Sequence, residues 1–300
     1  MSMVGACSAD RGEDALRRPN NVEVAADGTL LVADFLHSRI VRFDDQGRCL
    51  ATYARQGFGR GEVYRVWGLS ATPDGGFAVL DHGLEEEGSE VAATHQVKVF
   101  DRSGHQTDAF SVTPPDGEGA GWPEGLAQVP EGWVVTDQER DAMLFFAPDG
   151  TFLRSVVEVV GGPPLSSPGN VGWAGGSLWL TEYEDHRVRR LGPTGQQELM
   201  VGVEGTGPGE FLFPEAIAAS DEGWFVVGDM GNFRVQRFDL QGRHLGTIVP
   251  EPARSGVQVQ VYDVAVGADG TIYVADSTGN RILAYRPDGT LVRTLAQTDC

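Results

Sequence analysis

Apolar residues along this chain gather in short runs, such as Leu30-Leu31-Val32-Ala33 and Trp224-Phe225-Val226-Val227, bounded by Gly-containing turns. Runs of this kind predict many short strands rather than long helices. The same order of elements recurs six times. A proline or its substitute opens an apolar strand. A Gly turn leads to a second strand that ends in an acid. An Arg-bearing loop, a third strand, another Gly turn and a fourth strand follow. The clearest copies begin at Pro19, Pro214 and Val261, and more degenerate ones at Val66, Pro123 and Pro168.

The acids closing the second strands are Asp34, Asp81, Asp137, Glu182, Asp229 and Asp276, spaced by 47, 56, 45, 47 and 47 residues. Six or seven residues before each acid lies a turn: Asp27-Gly28, Asp74-Gly75, Glu131-Gly132, Gly175-Gly176, Glu222-Gly223 and Asp269-Gly270. That distance holds one short strand after a tight hairpin, where Gly supplies a positive φ. A single four-stranded sheet cannot bury two apolar faces, but a ring of six can. The prediction is an all-β, six-bladed β-propeller over residues 1–300, with blades starting near 19, 66, 122, 168, 213 and 261. A right-handed solenoid is the alternative. Residues 5–18 look like the interblade loops at 55–65 and 202–213. Blade six has its own fourth strand in 290–296, so the first and last blades are expected to meet by face packing, without an exchanged strand.

The run P-x-x-[IVL]-x-[VA]…G-x-[IL]-x-V-A-D…N-R-[IV]…F-D…G resembles the NHL repeat, and the likeness spans about residues 19–300. The resemblance implies a six-bladed propeller related to the gluconolactonase/regucalcin, strictosidine synthase-like and amidating lyase propellers. Those families place their chemistry at the central channel. Other NHL propellers bind proteins or RNA on one face.

The repeat supplies an internal control. The six acids recur, as do Arg39, Arg187, Arg234 and Arg281, each five residues after its acid. They read as scaffold, pairing within each blade and accepting backbone N–H bonds. Polar residues that break the repeat are better functional candidates. Those opening the inner strands are Asn20-Asn21, Trp67-Gly68, Glu124-Gly125, Gly169-Asn170, Glu215-Ala216 and Tyr262-Asp263. In a propeller they ring one channel mouth, with Phe35, His82, Gln138, Tyr183, Met230 and Ser277 as a second, outer ring. Glu124 and Glu215 are the candidate catalytic acids, because a Glu held between aromatics has a raised pKa suited to acid–base work. Glu124, Glu215, Asp263, Asn170 and Asn21 suit a divalent cation such as Ca²⁺ or Mg²⁺, which takes oxygen ligands. Trp67, Trp122, Tyr262, Tyr183, His82 and Phe35 are candidate substrate-binding residues, and aromatics beside carboxylates suit an organic amine. A three-histidine metal site from His37, His82 and His186 is a further alternative. The long blade-two insertion, 82–95, reads as a surface loop or a lid over the mouth.

The net charge of −20 disfavours nucleic acid and anionic membranes as partners. No run reaches the length of a membrane span or a signal peptide. The three cysteines, Cys7, Cys49 and Cys300, have neither metal-ligand spacing nor a disulfide framework, which fits a cytoplasmic protein. Two functions follow. The first is a small-molecule enzyme of lyase, hydrolase or cyclase type, with its acidic and aromatic site at the channel mouth. The second is a recognition module that binds a protein partner on one propeller face.

Overall fold

The structure, a computed structural model, describes residues 15–87, 90–115, 121–252 and 256–295. These residues form six antiparallel sheets of four strands, β1–β24 in chain order. The blades run from β1 (Pro19–Val24) to β4 (Cys49–Tyr53), β5 (Val66–Ala71) to β8 (Gln106–Ser111), and β9 (Pro123–Val129) to β12 (Phe152–Val156). The other three run from β13 (Pro168–Ala174) to β16 (Gln197–Val201), β17 (Pro214–Ser220) to β20 (His244–Ile248), and β21 (Val261–Val266) to β24 (Leu291–Leu295). The first strand of each blade packs against the first strands of both neighbours, so these six strands line a central channel. Among the described residues the only helical pieces are two 3-10 turns, Phe35–His37 and Met230–Asn232. The architecture is the six-bladed propeller that the repeat predicts, with every blade start within one residue of expectation.

Each sheet is made of four consecutive strands, so the ring closes without strand exchange. Blade one meets blade six through a buried apolar layer that includes Val22, Val32, Ala275, Ile282 and Leu295. Several polar bonds fasten this seam, two of them from backbone N–H groups. The Arg18 N–H donates to Asn280 Oδ1 at 2.8 Å, and the Val22 N–H donates to Asp263 Oδ2 at 2.9 Å. Leu16, from the segment before the first blade, is also fully packed into the layer.

The six closing acids are buried and ion-paired, as their recurrence predicts. Asp34 pairs with Arg39, Asp229 with Arg234 and Asp276 with Arg281, each at 2.7 Å. Blade three uses Arg140 on Asp137, and blade two uses Lys98 on Asp81. The chain's single lysine thus stands in for the repeat's arginine. Most of the acids also accept a backbone N–H from the segment that enters the inner strand, such as Arg17 to Asp34, Trp122 to Asp137 and Leu212 to Asp229. The acid therefore fixes the start of the inner strand, and with it the residues at the mouth.

Two expectations are corrected. The blade-two insertion is not a loop or lid. Its residues extend a hairpin, β6 (Phe77–Glu87) and β7 (Glu90–Phe100), in continuous register from Phe77↔Phe100 to Glu87↔Glu90. Equal lengths on either side of the turn let backbone pairing continue where other blades stop, and pairing satisfies the donors and acceptors that a loop would leave to water. The second correction concerns the cysteines: Cys49 is disulfide-bonded. Cys7 and Cys300 lie outside the described residues. No helix among the described residues is long and apolar enough to cross a membrane.

Candidate functional site

Asn20, Asn21, Trp67, Glu124, Asn170, Glu215 and Tyr262 converge on one small cavity of about 10 Å³ at the channel mouth. Each comes from the opening of an inner strand, and all six blades contribute through them or through Asp263 just beneath. The volume suits one water molecule or one ion. A larger ligand would sit on the mouth rather than inside it.

Glu124 and Glu215 hydrogen-bond to each other through their side chains. Two carboxyls can do so only if one carries a proton. Burial raises Glu124 to about 7, against the bond that it accepts from Trp122. Burial and the neighbouring charges of Glu124 and Asp263 push Glu215 well above the usual carboxylate range. The Trp122 indole N–H donates to Glu124 Oε2 at 3.0 Å. The indole is 45% exposed, so it stands between the pair and solvent. Near neutral pH the pair holds one acid and one base side by side.

An aromatic wall flanks this pair. Trp67 contacts Trp122 with ring centroids 5.9 Å apart, Phe35 at 5.5 Å and His82 at 5.7 Å. His82 is buried, and its Nε2 is taken by the Pro123 carbonyl at 2.7 Å. Desolvation depresses its pKa to about 3, so it is a neutral support for both indoles. His95 packs on it at 4.2 Å, and His95 Nδ1 is buried without a partner. On the far side Tyr183 packs on Phe213 at 4.9 Å. Burial and the charge of Glu215 raise the Tyr183 pKa, which keeps its phenol a donor.

Asp263 does not point into the mouth cavity. Its Oδ2 accepts the Val22 N–H, and its Oδ1 accepts the Val264 N–H at 2.9 Å and Asn170 Nδ2 at 3.2 Å. Blades four and six are not neighbours, so the Asn170–Asp263 bond crosses the channel and divides it. Above the bond lies the mouth cavity. Below it lies a second cavity of about 140 Å³.

No known family model matches the chain, and no curated protein sequence does. Several solved structures are similar to it. A streptogramin B lyase is 16% identical over 95% of this chain and 85% of its own, with a TM-score of 0.63. A catalytically inactive virginiamycin B lyase from Staphylococcus aureus, solved with quinupristin, is 14% identical over 99% and 89%, also with a TM-score of 0.63. A chain of a nidogen/laminin complex is 16% identical over 89% and 92%, with a TM-score of 0.66. The likeness is one of fold.

The five expected cation ligands all lie at or beside the mouth, but Glu124 and Glu215 bond each other and Asp263 is held by the crossing bond. Among the described residues, no group of three or more His, Cys, Asp or Glu is arranged to hold a metal ion. His37 bonds Asp34 at 2.8 Å, while His186 Nδ1 accepts the Phe213 N–H at 3.0 Å, so the three histidines of the alternative metal site are used separately. The Oδ1 atoms of Asn20 and Asn21 are buried without partners. These two acceptors await a donor or a cation at the mouth.

One residue of the channel escapes the sequence reading. Glu23 pairs across its hairpin with Leu31, three residues before the closing acid. The residues so placed in the other blades are Ser70, Ala127, Gly172, Ala218 and Ala265. A carboxylate where every other blade has a small residue is a break in the repeat. It lies inside the strand rather than at its opening, where breaks were sought. Burial, with Asp263 beside it, raises Glu23 to about 8.

Gly125 follows Glu124 because the backbones of β9 and β13 approach too closely for a side chain. A Cβ there would lie 2.6 Å from the Gly169 carbonyl and 2.8 Å from Thr136 Oγ1. Thr136 bridges the gap by accepting the Gly125 N–H and donating to Gly169 O. Gly125→Ala is expected to push these strands apart and cost about 1–3 kcal/mol as overpacking. Urea melts of the variant measure this, and an unchanged midpoint would show that the strands yield freely.

Proposed function

We propose that this protein is an NHL-type propeller enzyme that binds a small cationic molecule at the channel mouth and acts on it by acid–base catalysis. The observation that carries this reading is the mutually hydrogen-bonded Glu124–Glu215 pair under the Trp122 indole. Lyase, hydrolase and cyclase reactions remove a proton at one atom and deliver one at another. A carboxyl pair sharing one proton supplies both partners. The ionised member and the faces of Trp67 and Trp122 favour an organic ammonium group by ion pairing and cation–π attraction. The net charge of −20 draws cations toward such a mouth. Nucleic acid and anionic membranes are disfavoured by the same charge.

A divalent cation is the competing occupant, favoured by the two unpartnered asparagine oxygens. Asn20, Asn21, Glu124 and Glu215 would hold it, with loss of the shared proton, and it would supply Lewis-acid chemistry at the same place.

The test is Glu124→Gln. Gln keeps an acceptor for the Trp122 N–H and a donor for Glu215, so stability should change by less than about 1 kcal/mol. Turnover of small organic amines should be detected in the wild type and lost in the variant. Ca²⁺ and Mg²⁺, with chelator reversal, form a parallel thermal-shift arm, and a shift lost in Glu124→Gln would place the ion on that residue. If the variant keeps its midpoint and every ligand of the wild type, the mouth is not the site. A recognition role for another face then becomes the better reading.

A further inference from the structure

The cavity below the Asn170–Asp263 bond has a lining that is more polar than apolar. Glu23 and Asp263 are its two titratable residues, and Asn170, Trp173, Ile217 and Val266 form much of the remaining wall. Asp263 already accepts four hydrogen bonds, from Val22, Val264, Asn21 and Asn170. The Glu23 carboxyl has no hydrogen-bond partner among the described residues. It is also the single departure from small side chains at its place in the six blades. A half-buried carboxyl that faces a cavity without a partner gains from a ligand that supplies donors and positive charge.

We propose that this cavity is a second ligand site, distinct from the mouth, that takes a small alkylammonium ion with Glu23 as its counter-ion. The size fits, because a cavity of about 150 Å³ accommodates a molecule as large as benzene. The walls fit as well. An ammonium head needs one carboxylate and a few acceptors, which Glu23 and the Asn170 amide provide. Its alkyl group would rest on Ile217 and Val266, with the Trp173 ring available to the cation. A hard metal ion is disfavoured, because the lining holds only two acids and Asp263 already accepts four hydrogen bonds. The crossing bond separates this site from the Glu124–Glu215 pair, so the two need not share a ligand.

The experiment is calorimetric titration with ethylammonium chloride against sodium chloride at equal ionic strength. The titrations use the Glu124→Gln protein, in which ammonium binding at the mouth is removed, and it should bind ethylammonium saturably at one site. Adding Glu23→Gln, which keeps the shape and removes the charge, should weaken binding at least about tenfold, as expected for loss of a desolvated ion pair. Glu23→Ser installs the residue that blade two carries there and should behave the same way. Melting midpoints of both variants check that the fold survives. The proposal is overturned if the Glu124→Gln protein shows no saturable binding, if sodium competes equally, or if both Glu23 variants bind unchanged.

Discussion

Replacing Glu182 with alanine is expected to lower the unfolding free energy by about 3–5 kcal/mol, the cost of leaving a buried charge without its partner. Glu182 and Arg189 are both fully buried, at 0% exposure. Arg189 Nε and Nη2 reach the Glu182 carboxylate at 2.8–2.9 Å, and its Nη1 donates to the Pro163 carbonyl at 2.8 Å. Arg187 holds the same carboxylate at 2.6 Å, and the Ser166 N–H donates to it at 2.9 Å. Blades one, three, five and six place Val41, Leu144, Gln236 and Leu283 seven residues after the acid, and blade two has Lys98 as the one buried cation on its acid, so none of these acids faces a second buried charge. Asp229→Ala should therefore cost less, about 1–3 kcal/mol, because Arg234 is partly exposed and can be hydrated. Urea melts of both variants compare the losses. A double variant, Glu182→Ala with Arg189→Leu, should recover much of the loss, since apolar replacement of a whole buried pair is often near neutral. Equal losses in the Glu182 and Asp229 variants would show that the second arginine adds nothing.

Stability should also fall steeply as pH rises from about 6.5 to 8. Glu23 is raised to about 8, Glu124 and Asp263 to about 7, and Glu215 well above its ordinary value. A carboxyl whose pKa is higher folded than unfolded binds its proton more tightly in the native state. Its contribution is present at low pH and is lost as pH rises through the folded value. Each such carboxyl that remains protonated adds a slope of up to about 1.4 kcal/mol per pH unit. The buried histidines act in the opposite sense. His82 is lowered to about 3 and His95 also lies below its ordinary value, so protonating the unfolded chain destabilises the fold below about pH 6.5. The two trends place the optimum in mildly acidic solution. Denaturant melts between pH 5 and 8 test this, and Glu23→Gln and Glu215→Gln should each flatten the upper limb. A midpoint that stays level or rises from pH 6.5 to 8 would contradict the burial of the channel acids.

Blade number, blade starts, the pairing of each closing acid with a basic residue, and closure without strand exchange all follow from the sequence. These properties are repeated, and each depends on residues close together in one blade. A hairpin turn and an apolar run specify local contacts in every copy, and an acid five residues before an arginine does so in four of the six. The sequence also places Glu124, Glu215, Trp67, Tyr262 and the asparagines at one mouth, because an inner-strand opening has the same position in every blade. Only the tertiary structure decided how these groups are used. The bond between Glu124 and Glu215 and the Asn170–Asp263 bond join residues from different blades, and no local pattern encodes their distance across the ring. The hairpin of blade two was hidden because the insertion lacks the apolar run that marks the other strands, and its backbone pairing is seen only in the structure. Glu23 was legible in principle as a break in the repeat. Its importance came from the cavity that blades one, four, five and six enclose around it, and a cavity belongs to the closed ring rather than to any one segment of the chain.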